Sequence, residues 1–165
     1  MNSLFENLVH IIEKQELLYS DFLELEKQKT ELISQNRNTE LESLVSEQEK
    51  ILRRIDLSEA GRISSVDKIS AAFYVNRANP SLRDISQYAA GAVRKRITAH
   101  ADRLKSVTVE LQRILELNSR MLKDNLNFYS MFIDGIKDSL DDKNAYYSGK
   151  ETKTRKTPVL INRTV

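Results

Sequence analysis

Residues 4–33 read LFENLVHIIEKQELLYSDFLELEKQKTELI. Taken in alternating steps of four and three, Leu4, Leu8, Ile11, Gln15, Leu18, Phe22, Leu25, Lys29 and Leu32 form one line, and seven of those nine positions are apolar. That is the heptad seam of a helix packed along its length against other helices. Phe5, Val9, Ile12, Tyr19 and Ile33 widen the line on one side, which suits a bundle of three or more helices better than a two-stranded coil. No Gly or Pro interrupts the segment, so the spacing predicts one helix from about Asn2 to Gln35.

Working outward from this helix, polar residues cluster at Ser34-Gln35-Asn36-Arg37-Asn38 and stop it. Thr39, with Glu42 three residues on, offers a capping box for a second helix, and the short connection makes a helical hairpin. The second helix carries Leu41, Leu44, Val45, Gln48, Ile51, Leu52 and Ile55. Its stripe then shifts phase to Leu57, Ile63, Val66, Ile69 and Phe73, and Gly61 sits at the shift, which predicts a kink or stutter. The helix should fade over residues 76–79. Asn79-Pro80-Ser81 is firm punctuation, and Ser81 with Asp84 opens a short helix through Leu82, Ile85, Tyr88 and Ala89. Gly91 either ends that helix or lies within a continuous one. A last long helix is expected from about Val93 to Leu140, with Asn118 and Asn125 one heptad apart, either in its seam or at its edge. Asp141-Asp142-Lys143-Asn144 reads as a polar stop. The expected fold is all-α: an elongated antiparallel helical bundle of three long helices with a short extra helix over residues 1–142, then a flexible C-terminal tail over 143–165.

Composition agrees and narrows the chemistry. Of 165 residues, 4 are Gly, 2 are Pro and none is Cys or Trp. Without Cys there are no disulfides, no thiolate catalysis and no Cys-based zinc site. His10 and His100 are too few for a His-rich metal site, and so few glycines disfavour a phosphate-cradling loop. No apolar run reaches the roughly 20 residues that span a membrane, and the first residues lack the basic start of a secretory signal. The net charge of +2 hides an uneven chain. Residues 1–60 hold 13 acids and 7 bases, and residues 61–165 hold 11 acids and 19 bases. The expectation is that acidic and basic helices pack side by side.

Candidate sites follow from the same reading. The carboxylates occupy helix faces without an evident pocket, and no nucleophile motif occurs, so the chain reads as a non-enzyme with no cofactor. His10 and His100 read as packed or rim histidines. Arg94-Lys95-Arg96, with Arg103 and Lys105, could touch phosphates, but no recognition motif or stacking aromatic accompanies them. A solvated face or a complement to an acidic helix is the preferred reading, and no nucleic-acid partner is expected. The cluster Met121, Phe128, Tyr129, Met131, Phe132 and Ile133 is apolar on more than one side, which suits either ordinary core or a groove for an amphipathic partner helix.

The order of these features resembles the FlgN family of flagellar export chaperones over nearly the whole chain. The resemblance rests on Leu17-Leu18-Tyr19, Leu25-Glu26-Lys27-Gln28-Lys29 and Leu32-Ile33. It continues through Leu41-Glu42-Ser43-Leu44-Val45-Ser46-Glu47-Gln48-Glu49, Ile51-Leu52, Ile55, Glu59 and Arg62, with Gly61 departing from the family's smooth helix. Ser81-Leu82-Arg83-Asp84-Ile85, Leu117-Asn118, Leu122, Leu126-Asn127-Phe128, Tyr146-Tyr147-Ser148-Gly149 and Leu160-Ile161-Asn162-Arg163 complete it. The resemblance implies a cytoplasmic, non-enzymatic chaperone of the flagellar type III export system. Its clients would be hook–filament junction proteins of FlgK and FlgL type, passed on to export gate or ATPase components. Leu122, Phe128, Tyr129, Phe132, Ile133, Ile136 and Leu140 are the expected client contacts, and Tyr146 and Tyr147 the expected client or export-gate contacts. No stable membrane insertion is expected. The alternatives are a structural coiled-coil protein that only self-associates, or a basic nucleic-acid adaptor.

Overall fold

The computed structural model describes the backbone of residues 2–147 except 76 and 78, and the side chains of that range from residue 3 to residue 135. Four helices and no strand occur among the described residues: α1 (Asn2–Ser34), α2 (Asn38–Ala72), α3 (Leu82–Ser86) and α4 (Gly91–Tyr147). The chain divides into two compact units, the first ending at Leu122 and the second beginning at Lys123, within α4. The first unit is the all-α bundle that the heptad reading predicts.

The turn between α1 and α2 is built by Asn36, whose φ of 54° places it in the left-handed region. Asn36 N–H donates to Ile33 O at 3.2 Å and Arg37 N–H to Leu32 O at 3.0 Å. This Schellman pairing satisfies the last carbonyls of α1, and Asn tolerates the backbone conformation it needs. The expected Thr39 cap is corrected. α2 starts at Asn38, one residue before Thr39, and Arg37 is its N-cap without a side-chain hydrogen bond. The turn that ends α1 already sets the start of α2, so Thr39 falls inside the helix.

At Gly61, where a kink or stutter is expected, α2 runs unbroken. Leu57 and Ile63, which suggested the phase shift, are exposed. The packed seam passes instead through Leu44, Gln48, Ile55, Ser65, Val66 and Ile69. Polar residues carry the seam across the middle of α2. The helix ends at Ala72, earlier than the expected 76–79, with Phe73 as its C-cap.

Ser81 and Asp84 form the expected capping box. Ser81 N–H donates to Asp84 Oδ2 at 2.8 Å, and Asp84 N–H donates to Ser81 Oγ at 3.2 Å. The resulting α3 stops at Ser86, and Gly91 opens α4 with a φ of 25°. Arg94 binds the carbonyls this break exposes, donating Nε–H to Ser86 O at 3.1 Å and Ala89 O at 3.2 Å. At the other end, α4 continues past the polar Asp141–Asn144 stretch to Tyr147. Asp and Lys are tolerated in helices, and no Gly or Pro occurs there to stop one.

The core forms two apolar blocks. The first joins Phe5, Leu8, Val9 and Ile12 of α1 to Val66 and Ile69 of α2, Ile85 of α3, and Ile97 and Leu104 of α4. Phe73 lies between Phe5 and Tyr88, with ring centroids at 5.3 and 5.8 Å. The second joins Leu18, Phe22 and Leu23 to Ile55, Leu111 and Ile114. Each fully buried aliphatic side chain of this kind contributes about 1.5–3 kcal/mol.

A polar layer follows the second block. Glu26 of α1 is only 2% exposed. Its Oε1 accepts from Gln48 Nε2 at 2.7 Å, and its Oε2 accepts from Asn118 Nδ2 at 2.7 Å. Asn118 also donates to Glu26 O at 2.9 Å and accepts from Thr30 Oγ1 at 2.7 Å. Lys29 Nζ approaches Glu26 Oε1 at 3.4 Å and Gln48 Oε1 at 3.2 Å. Asn118 therefore lies in the seam, where two amides, from α2 and α4, meet one carboxylate of α1.

Candidate partner-binding surface

The expected complementarity of acidic and basic helices is present along α1 and α4. Arg96 pairs with Glu6 at 2.8 Å and Glu13 at 3.4 Å, and Arg103 pairs with Glu16 at 2.7 Å. His100 is a rim histidine held between two carboxylates, with Nε2 3.2 Å from Glu13 and Nδ1 2.6 Å from Glu16. Burial works against ionisation of Glu16, but hydrogen bonds from His100 and Arg103 outweigh it and hold the carboxyl below the usual glutamate range. Three arginines of the basic stretch are thus engaged inside the chain: Arg94 at the α3 carbonyls, Arg96 and Arg103 at α1 carboxylates. Among the described residues, no group of His, Asp and Glu has an arrangement that could hold a metal ion.

A second polar cluster joins α1 to α2 between the two apolar blocks. Gln15 Nε2 donates to Glu59 Oε2 at 2.7 Å, and Arg62 Nε donates to the same oxygen at 2.8 Å. The Arg62 hydrogen bond lowers the Glu59 pKa, burial opposes this, and the Gln15 contact adds to the lowering. Burial raises the Tyr19 hydroxyl pKa, with the Glu59 charge adding to it. These groups are locked to one another, which leaves them no evident catalytic task.

The exposed apolar surface lies further along α4. In the first unit, Ile97, Leu104, Leu111 and Asn118, spaced by sevens, are buried. The same sevenfold line continues to Asn125 and Phe132, but Phe132 is 59% exposed and Phe128 is 66% exposed. Tyr129 and Ile133 are exposed as well, and the Phe128 and Tyr129 rings meet edge-on with centroids at 6.1 Å. Leu122 is half-buried. Ile136, Leu140, Tyr146 and Tyr147 have side chains outside the described residues, although their backbone belongs to α4.

The sequence reading omitted Leu126 from the candidate contacts, yet it is 70% exposed. Its signal was available, because Leu122, Leu126, Tyr129 and Ile133 follow steps of four, three and four on one face. Phe128 and Phe132 form a second line beside that face. Contiguous exposed apolar side chains at helical spacing are a candidate surface for a partner helix.

The fold defines an all-α helical bundle protein. The family comparison makes the class particular. Residues 1–154 match the family described as FlgN protein, and the chain belongs to that family of flagellar export chaperones, which are not enzymes. It is also similar to the uncharacterized protein YvyG of Bacillus subtilis (strain 168), 24% identical over 118 residues that cover 72% of this chain and 71% of that protein. No solved structure matches it. No described helix is long and apolar enough to cross a membrane.

Proposed function

We propose that this chain is a cytoplasmic chaperone for hook–filament junction proteins of FlgK and FlgL type. It covers an amphipathic helix of the client before export, prevents premature association, and presents the client to export gate or ATPase components. The observation that carries this reading is the exposed run Leu126, Phe128, Tyr129, Phe132 and Ile133 on α4, in register with a seam that is buried in the bundle. An uncovered amphipathic client helix carries the same hazard of wrong association, and one exposed stripe laid on the other removes both from water. Leu122, Ile136 and Leu140 extend the stripe at helical spacing. Tyr146 and Tyr147 are the proposed client or export-gate contacts within a tail taken as residues 143–165, beyond a bundle domain of 1–142.

The test is a pull-down of C-terminal fragments of FlgK-type and FlgL-type proteins by the full chain and by its Phe128→Glu/Phe132→Glu variant. Both positions are exposed, so the variant should keep its helical circular dichroism while binding falls at least about tenfold. Unchanged binding by the folded variant would remove the placement. Sedimentation of the free chain separates this reading from self-association through the same stripe. Only the latter gives a dimer that the variant dissolves.

A further inference from the structure

We infer that the groove between α1 and α2 is a second docking surface, distinct from the α4 stripe, and that its occupant is a short amphipathic helix of a partner protein with acidic residues beside its apolar ones. The groove encloses about 260 Å³ and is lined by His10, Ile11 and Lys14 of α1 and by Arg54, Leu57 and Gly61 of α2. No carboxylate lines it. Leu57 is exposed, as is Leu17 one turn beyond Lys14 on the same face of α1. Gly61 keeps the floor open, and the nearest atom to a Cβ placed there is Ile11 Cδ1 at 4.0 Å. An apolar side chain of the occupant can therefore rest against Ile11 and Leu57.

The charges select the occupant. On α2, Lys50, Arg54, Leu57, Gly61, Ser64 and Lys68 follow steps of four and three along one face. Arg53 and Arg62, off that face, pair with Glu49 and Glu59. Among the described residues, Lys14, Lys50, Arg54 and Lys68 make no ion pair. Of these, Lys14 and Arg54 line the groove itself, where carboxylates one turn from an inserted apolar side chain would meet them. Past Arg54 a neighbouring pocket brings Asp21, Glu24 and Glu47 beside Lys50 and Arg54. Those carboxylates disfavour acidic residues of the occupant beyond Arg54, so its acidic stretch belongs on the Lys14 side.

The test uses the full chain and a fluorescein-labelled, stapled helical peptide of roughly ten residues, with leucines one turn apart flanked by glutamates. A second peptide carries lysine in place of each glutamate. Fluorescence anisotropy at about 50 and about 300 mM sodium chloride should show binding of the glutamate peptide alone, weakening with salt. Affinity should fall at least about tenfold in Lys14→Glu/Arg54→Glu, whose side chains are exposed, and in Gly61→Leu, which fills the groove. Phe128→Glu/Phe132→Glu should leave it unchanged, so this result and the client pull-down fail or succeed separately. Absence of binding at millimolar protein, equal binding of the lysine peptide, or indifference to Lys14→Glu/Arg54→Glu overturns the inference. A dimer of the chain that Lys14→Glu/Arg54→Glu dissolves also overturns it, by assigning the groove to a second copy.

Discussion

Replacing Asn118 by Ala should cost the bundle about 3 kcal/mol. Asn118 Nδ2 supplies one of two short hydrogen bonds to the Glu26 carboxylate, at 2.7 Å, and a further one to Glu26 O at 2.9 Å. A hydrogen bond to a buried charge is worth about 1.5–3 kcal/mol and a neutral one about 1. The loss is not relieved by water, because Glu26 and Asn118 are both buried. Thr30 also loses its 2.7 Å acceptor. A cost of about 3 kcal/mol is roughly a hundredfold in the folding equilibrium. The decisive comparison is the triple variant Glu26→Leu/Gln48→Leu/Asn118→Leu, which removes the charge and both amide partners together. Apolar replacement of a whole buried polar group is often neutral or stabilising, whereas removing one partner is not. Lys29 keeps access to solvent and can carry its ammonium outward. Urea unfolding followed by far-ultraviolet circular dichroism should place the triple variant within about 1 kcal/mol of the parent or above it. If Asn118→Ala costs under about 1 kcal/mol, or the triple variant is as unstable as the single one, the account of this layer is wrong.

Gly61→Ala should raise stability by up to about 1 kcal/mol, since the new methyl meets only Ile11 Cδ1 at an ordinary 4.0 Å; a lower urea midpoint would contradict this. Glu59 has a folded pKa below its unfolded one, so its contribution is present above about pH 4.3 and is lost as pH falls through the folded value. Glu59→Gln should therefore be less stable than the parent at pH 7, with the gap closing in acid and narrowing in high salt. Urea midpoints across pH that keep a constant gap would refute it. Ser81→Ala should cost about 1 kcal/mol through loss of the capping box, read as a lower thermal midpoint, and Ser81→Thr, which keeps the hydroxyl that donates to Asp84 Oδ2, should recover most of it.

The bundle was legible because apolar residues at heptad spacing have few other uses in a chain with almost no Gly or Pro. Heptad spacing puts Gln15 and Gln48 in the seams and Asn118 in or beside one; what escaped was the buried Glu26. Phe5, Ile12, Tyr19, Glu26 and Ile33 are spaced by sevens, and position 26 belongs to that line as firmly as its neighbours. Hydrophobicity alone skips it, since a carboxylate is buried only when partners from other helices arrive, here Gln48 and Asn118. In α2 the exposed Leu57 and Ile63 outweighed Arg62 and Ser65, which shifted the apparent phase and suggested a kink. Thr39 and Glu42 had the right spacing for a cap, but the turn around Asn36 had already started the helix. On α4, Phe128, Tyr129, Phe132 and Ile133 were readable as a cluster. Whether they were core or open surface depends on what packs against them, which periodicity does not encode.

A chaperone that covers client helices, as proposed, must not mistake its own helices for them. The layer of Glu26, Gln48 and Asn118 supplies that distinction. A foreign helix that displaced α2 would bring an apolar residue against the carboxylate and strand it, while the rightful helix brings an amide. The stripe on α4, by contrast, is apolar at Leu126, Tyr129 and Ile133 and sets no such condition. Self-recognition is strict, the proposed client recognition is permissive, and α4 would carry both standards.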